Sequence, residues 1–374
     1  MGIEFVPSPR PTLGVEWEFA LVDRSTRDLS NSAGEVFDEV HRRHGDQPNL
    51  HKELLRNTVE IVSCVSDTVA EAMSDLADTL RLVRPVAESL GVDLYSAGTH
   101  PFAEWSTQLL TPGHRYEELI ARTQWWGRQM LIWGVHVHVG VSHRDHVIPI
   151  VSSLLNHFPH LQALSASSPM WSRTDTGYAS NRAMMFQQLP TAGLPFQFDT
   201  WQEYEAFVDD HLRTGVIEYL NDIRWDVRPS PNLGTVEVRI CDGVSNFREL
   251  AALTALTHCL VVDLSDRLSA GETVPTMPPW HVQENKWRSA RYGLEAEIIL
   301  DAAANERLVT DDLADLLERL EPVAKRLGCV DELRSVDDIP RHGASYQRQR
   351  DVARRTDGDL VAVVDSVVRE LEVR

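Results

Sequence analysis

Lysine is nearly absent from this chain. Of 36 basic residues only Lys52, Lys286 and Lys325 are lysines, so any anion it grips must be held mainly by guanidinium groups. Cysteine is scarce as well: Cys64, Cys241, Cys259 and Cys329 are far apart, form neither a C-x-x-C metal pair nor a bridging framework, and read as buried reduced thiols. No apolar run approaches the ~20 residues needed to cross a bilayer. The opening Met1-Gly2-Ile3-Glu4-Phe5-Val6 lacks a basic signal region and a myristoylation pattern, so a cytoplasmic location is the expectation. The 20 glycines never occur as G-x-G, and no G-x-x-x-x-G-K-[ST] loop exists, which excludes Rossmann and P-loop nucleotide sites. A G-x-S-x-G elbow and an H-E-x-x-H helix are missing too. Positive charge is in deficit: 36 basic against 56 acidic residues leave a formal charge of -20, which argues against a nucleic-acid partner.

What remains is a chain of 374 residues, 43% hydrophobic and 25% charged, with ample material for a core. From Thr68 to Leu90 apolar residues recur at the four and three spacing of one helical face; Thr68 with Glu71 makes a capping box and Gly91 ends the helix. Further helices are expected over 35–43, 116–131, 147–165, 201–212, 248–268, 290–304, 310–327 and 358–371. Segments 187–195 and 271–280 read as long loops, the second being the best candidate for a boundary.

Four strands carry an unusual polar face. In Leu13-Gly14-Val15-Glu16-Trp17-Glu18-Phe19-Ala20-Leu21 the odd positions are apolar, while Glu16 and Glu18 point the other way, because strand side chains alternate. Thr58-Val59-Glu60-Ile61 turns Glu60 to the polar side. Val135-His136-Val137-His138-Val139-Gly140-Val141 sets two imidazoles opposite the valines, and Thr235-Val236-Glu237-Val238-Arg239-Ile240 places Glu237 with Arg239. Half-exposed strands ordinarily show charged outer faces, but these four present four Glu, two His and one Arg with no Lys. Two carboxylates ~5 Å apart at an effective dielectric near 20 repel by ~3 kcal/mol, so several such pairs on one sheet call for neutralising cations. Mostly carboxylate ligands with an added imidazole suit Mg2+ or Mn2+ better than structural zinc. Arg173, Arg182, Arg288 and Arg291, with Arg239, are candidate clamps for phosphate or substrate carboxylate.

These residues resemble the bacterial second type of the glutamate-cysteine ligase family, the carboxylate-amine ligases. Gly14-Val15-Glu16-Trp17-Glu18 is similar to its G-x-E-x-E opening. Gly98-Thr99-His100-Pro101-Phe102, the His136-x-His138 strand, Trp225-Asp226-Val227-Arg228-Pro229-Ser230-Pro231, Gly234-Thr235-Val236-Glu237-Val238-Arg239, Asn285-Lys286-Trp287-Arg288 and Ala290-Arg291-Tyr292-Gly293-Leu294-Glu295 follow in the family's order. The resemblance implies an α+β fold, a glutamine-synthetase-like catalytic domain whose curved antiparallel sheet has a metal-lined concave face and helices outside. One domain over 1–374 is expected, with core motifs over 12–300 and a helical C-terminal region over 300–374. It implies that Mg-ATP phosphorylates a carboxylate and that an amine attacks the acyl phosphate, with L-glutamate and L-cysteine as default substrates and glutathione-type thiol biosynthesis as the setting. By similarity Glu16, Glu18, Glu60, His136 and Glu237 would hold metal, Arg239 the acidic substrate or phosphoryl group, and His138, Arg173, Arg288 and Arg291 further phosphate or nucleotide contacts. No residue identifies itself as a general base. A homo-oligomer is expected. Two alternatives remain open: a binuclear metal-dependent amidohydrolase, which also uses H-x-H at a strand end, and a nucleotide sensor without turnover.

Overall fold

The computed structural model describes residues 2–371, leaving Met1 and the last three residues outside the description. A seven-stranded sheet forms the centre: β1 (Leu13–Asp23), β2 (Leu50–Lys52), β3 (Thr58–Val62), β4 (Val92–Tyr95), β5 (Gly134–Gly140), β6 (Val227–Ser230) and β7 (Thr235–Asp242). Its order is β6-β7-β5-β1-β3-β2 and every pairing is antiparallel. Strand β4 joins the far end of β1, pairing Ala20 with Tyr95.

The period-two pattern decides which face is core. Val15, Trp17 and Phe19 of β1, Val59 and Ile61 of β3, Val135, Val137 and Val139 of β5 and Val236, Val238 and Ile240 of β7 are all buried. Helices Val69–Ser89, Arg144–Leu154, Phe158–Ser165 and Phe247–Ser269 pack against these strands. The indole N–H of Trp17 donates to Ser96 Oγ at 2.9 Å and to the Val244 carbonyl at 3.1 Å, so this large ring is fixed beneath Glu16 and Glu18. Beside β7, Gly234 turns the chain with φ +65, and a side chain there would collide with the Val6 carbonyl. The close approach lets the segment before β1 run along the sheet end, where Val6 N–H donates to the Pro231 carbonyl and Ser8 N–H to that of Val141.

The capping box at Thr68 and Glu71 is present, and Gly91 follows the helix in the left-handed region. Other expected elements need correction. The 116–131 helix is His114–Thr123, broken where Gln124 takes φ 51, followed by a single turn Trp125–Arg128. The 147–165 helix divides into Arg144–Leu154 and Phe158–Ser165, with Pro159 opening the second. The 290–304 helix is displaced: a helix begins at Pro279, where the missing N–H costs nothing, ends at Tyr292 before Gly293 at φ 58, and is followed by a hairpin of Glu297–Ile299 with Glu306–Leu308. The helices on either side of 271–280 both pack on Phe158–Ser165, so this segment does not separate one core from another. Within 187–195, Ala192–Gly193 pairs in parallel with Arg224–Trp225. Of the cysteines, Cys64 is exposed rather than buried, because it lies past the end of β3; Cys241, Cys259 and Cys329 are buried and free. No helix among the described residues is long and apolar enough to cross a membrane.

Candidate active site

The register brings the polar residues into rows across the sheet. Glu18 of β1 faces Glu60 of β3, and Glu16 faces His136 of β5. His138 stands between Gly14 of β1 and Glu237 of β7, and Arg228 of β6 faces Glu237. Gly14 keeps its row open, since a Cβ there would already touch His138 at 3.6 Å. A bulge between Val238 and Cys241 reshapes the end of β7, and Arg239 N–H is free to donate to the Asp226 carbonyl at 2.7 Å.

Three groups of donor atoms, each within 4.8 Å of one another, lie side by side along these rows: Glu16 with His138 and Glu237, Glu16 with Glu60 and His136, and Glu18 with Glu53 and Glu60. Glu16 is shared by the first and second groups, and Glu60 by the second and third. Glu16 Oε2 lies 2.7 Å from His136 Nδ1 and Glu16 Oε1 lies 3.1 Å from His138 Nε2. Thr235 Oγ1, 3.0 Å from His138 Nδ1, fixes that ring from behind. At the other end Glu237, 1% exposed, receives Arg228 Nε at 2.7 Å and also pairs with Arg239.

Electrostatics separate the carboxylates. Burial alone would raise Glu16, but hydrogen bonds from His136 and His138 overrule it and hold Glu16 well below the usual range. Glu237 is likewise held down, against its burial, by Arg239 and Arg228. Glu60 goes the other way: burial, then repulsion from Glu53, Glu16 and Glu18, raises it well above the usual carboxylate range. Glu53 is pushed up to about 7 by burial and by Glu18. Burial and the nearby Arg239 lower His136, whereas Glu237 and Glu16 raise His138 in spite of its burial. Two adjacent carboxyls that hold protons for want of positive charge are the donor set a divalent cation fits, with all-oxygen ligands in one group and a single imidazole in each of the others.

Glu16, Glu18, Glu53, Glu60, His136 and Arg239 line a cavity of about 360 Å3. Arg182, Arg224 and Arg228 line it too. The Arg182 guanidinium is 3% exposed and lies near the carbonyls of Arg239 (3.3 Å) and Ile240 (3.4 Å), while its Nε meets no acceptor among the described residues. Gly134 makes room for it. Three other candidate arginines stand outside the lining of this cavity. Arg173 is exposed and stacks over Phe102, Arg288 pairs with Glu284 and Glu306, and Arg291 donates to the Gly177 carbonyl between Tyr178 and Tyr292. Sequence reasoning missed Glu53, Arg224 and Arg228 as site residues. Arg228 obeys the strand alternation on β6, but Glu53 lies just past the three-residue β2, where no periodicity can be read.

A buried ion pair supports this wall from outside. Lys286 Nζ is 2.6 Å from Asp226 Oδ2, with the side chains 3% and 2% exposed, and Asp226 is the residue whose carbonyl receives Arg239 N–H. Removing one partner of such a pair leaves an uncompensated charge. Lys286→Met is therefore expected to destabilise the protein by about 3–5 kcal/mol, and Asp226→Leu with Lys286→Met to recover most of that loss. Denaturant unfolding followed by tryptophan fluorescence checks both; a neutral single variant would contradict the pair's importance.

The sequence pattern of glutamate-cysteine ligase family 2 matches residues 12–366. A Nocardioides protein named "Putative glutamate--cysteine ligase 2-3" is 70% identical over 371 residues, covering 99% of each chain. A Mycobacterium bovis protein named "Putative glutamate--cysteine ligase 2" is 68% identical over 371 residues, covering 99% of this chain and 98% of its own. Among solved structures, the glutamate-cysteine ligase of Francisella tularensis in complex with AMP superimposes with a TM-score of 0.71 at 14% identity, covering 99% of this chain and 91% of that one. The ligase PafA, solved with the ubiquitin-like protein Pup, gives 0.58 at 12% identity, covering 98% and 73%. The two structures share the fold, and the whole-length sequence matches go further: the chain belongs to glutamate-cysteine ligase family 2 and is an ATP-dependent ligase.

Proposed function

We propose that the chain joins the γ-carboxylate of L-glutamate to an amine, L-cysteine by default, with ATP converted to ADP and phosphate, and that residues 1–374 work as one catalytic unit. The observation that carries this reading is the run of three donor groups, of which Glu16, Glu18, Glu53, Glu60 and His136 line one cavity together with Arg182, Arg228 and Arg239. A carboxylate oxygen attacks the γ-phosphorus of ATP and ADP leaves; the amine nitrogen then attacks the acyl carbon, loses a proton, and inorganic phosphate departs. Glu16, Glu18, Glu53, Glu60, His136 and Glu237 would hold Mg2+ or Mn2+, and such ions supply charge neutralisation and alignment at the transferring phosphoryl group. The protein's own contribution is positioning. Glu237 locks Arg228 and Arg239 at one end of the rows, so their guanidiniums are fixed before an anion arrives and need no reorganisation. Thr235 sets the His138 ring, and Arg182 offers a buried cation whose Nε has no partner. A cytoplasmic homo-oligomer serving thiol biosynthesis fits this chemistry.

The test is Mg2+-dependent ADP release with L-glutamate, run with L-cysteine, with other amines and with none, and with the amide product read by mass spectrometry. Formation of γ-glutamylcysteine is the expected result. ADP only with another amine would change the acceptor, and no ADP under any condition would overturn the ligase assignment of this site in favour of a hydrolase or a sensor.

A further inference from the structure

The acidic cavity adjoins a second chamber of about 660 Å3, the two sharing Arg115, Leu119 and Arg224 in their walls. One wall of the chamber is the helix His114–Thr123, which buries only Ile120; Leu212, Val216 and Ile217 form an apolar side. Two guanidiniums therefore stand at the junction. Arg224 is largely buried, with Nη2 3.0 Å from Asp222 Oδ1 and Nη1 3.0 Å from the Asp222 carbonyl. Arg115, one residue into the helix, acts on the same Asp222 carboxylate. Burial, and then the like charges of Arg115, Arg228 and Arg239, draw Arg224 below its ordinary value despite Asp222. The Arg115 side chain makes no hydrogen bond or close ion pair among the described residues, so its donors stay open to a ligand.

We infer that this junction is the acceptor subsite, in which Arg115 and Arg224 hold the carboxylate of an amino-acid acceptor while its side chain enters the second chamber and its amine faces the acidic cavity. The inference rests on the ligase reading above. A simple alkylamine has no group for two guanidiniums and, as a cation, is repelled by them. A polyphosphate is disfavoured here because Glu118, Glu218 and Asp222 also line the chamber, whereas a zwitterion needs both signs. Planar, bidentate recognition of a carboxylate is what arginine does best.

Matched pairs of an amino acid and its decarboxylated amine test it: cysteine with cysteamine, methionine with 3-(methylthio)propylamine, alanine with ethylamine. The expected wild-type result is kcat/KM at least about tenfold higher for the amino acid in every pair that turns over, the size of one lost charge-assisted hydrogen bond. Arg224→Gln should shrink that ratio toward one, and Arg115→Gln should do the same from an exposed position where folding is not at stake. Equal use of both members of each pair by the wild type would overturn the inference, as would variants that raise KM for ATP or glutamate and leave the ratio intact. Hydroxylamine as a minimal acceptor separates this outcome from a failure of the ligase reading. Glutamate-dependent ADP release with hydroxylamine keeps the ligase reading standing when the pairs show no preference, and absence of ADP release with hydroxylamine and with every member of the pairs sinks both.

Discussion

Glu16→Gln is expected to lower turnover by about a hundredfold or more while leaving the fold in place. Glu16 belongs to two of the three donor groups, and its two oxygens meet two different histidines. The amide keeps the shape of the side chain and removes its charge. It also sets an N–H2 against one imidazole, so the ring that lost its acceptor must change tautomer or turn away. The fold survives the change, since the apolar core under β1 is carried by Val15, Trp17 and Phe19 on the other face. Removal of hydrogen bonds to a charged group predicts a loss of about 1.5–3 kcal/mol. Steady-state ADP release at saturating Mg2+, with circular dichroism and a melting curve, separates the two effects. Wild-type rates in this variant would take Glu16 out of the site.

Much of the site was legible because strand parity is local. Four short alternating segments put Glu16, Glu18, Glu60, His136, His138, Glu237 and Arg239 on one side each, and the sheet pairs those sides into a common face. Register was not legible. Nothing along the chain says that His138 faces Glu237 rather than a residue two positions away, or that Arg228 and Arg239 would share one carboxylate. That polar face is also not a solvated outer face: every residue of β5 is buried on both sides, which makes the charges on it costly and points to their use. Arginines outside strands carry no parity, so Arg173, Arg288 and Arg291 could not be told from Arg182 by sequence, although of these four only Arg182 lines the acidic cavity. The helix misplaced to 290–304 has a similar cause. An alanine-rich stretch scores as helix, but Gly293 stops the preceding helix and the three-residue strand Glu297–Ile299 finds its partner at Glu306–Leu308, a tertiary pairing that propensity does not see.

Removal of divalent metal is expected to abolish ADP release and to destabilise the protein more at pH 8 than at pH 6. The sign follows from the two carboxyls whose folded-state values are raised, Glu53 to about 7 and Glu60 well above its ordinary value. A carboxyl raised on folding favours the metal-free native state at pH below its unfolded value, and this favour is lost as pH climbs through the folded value. The metal-free protein therefore weakens between pH 6 and 8, as these groups ionise beside Glu16 and Glu18. Bound cations replace the protons, so at pH 8 they meet carboxylates already ionised, and at pH 6 they must first displace hydrogen ions. Glu16 and Glu237 are held low, ionise far below this window and add nothing to its slope. Metal at about a hundredfold its dissociation constant is worth about 2.7 kcal/mol, and each proton displaced costs about tenfold in affinity per pH unit, so most of that gain should vanish at pH 6 at constant metal concentration. Melting curves with EDTA and with Mg2+ or Mn2+ at the two pH values measure it. Glu53→Gln removes one of the two raised carboxyls and should flatten the pH dependence; a metal-induced shift that is equal at both pH values, or larger at pH 6, would remove the Glu53 and Glu60 pair from metal binding.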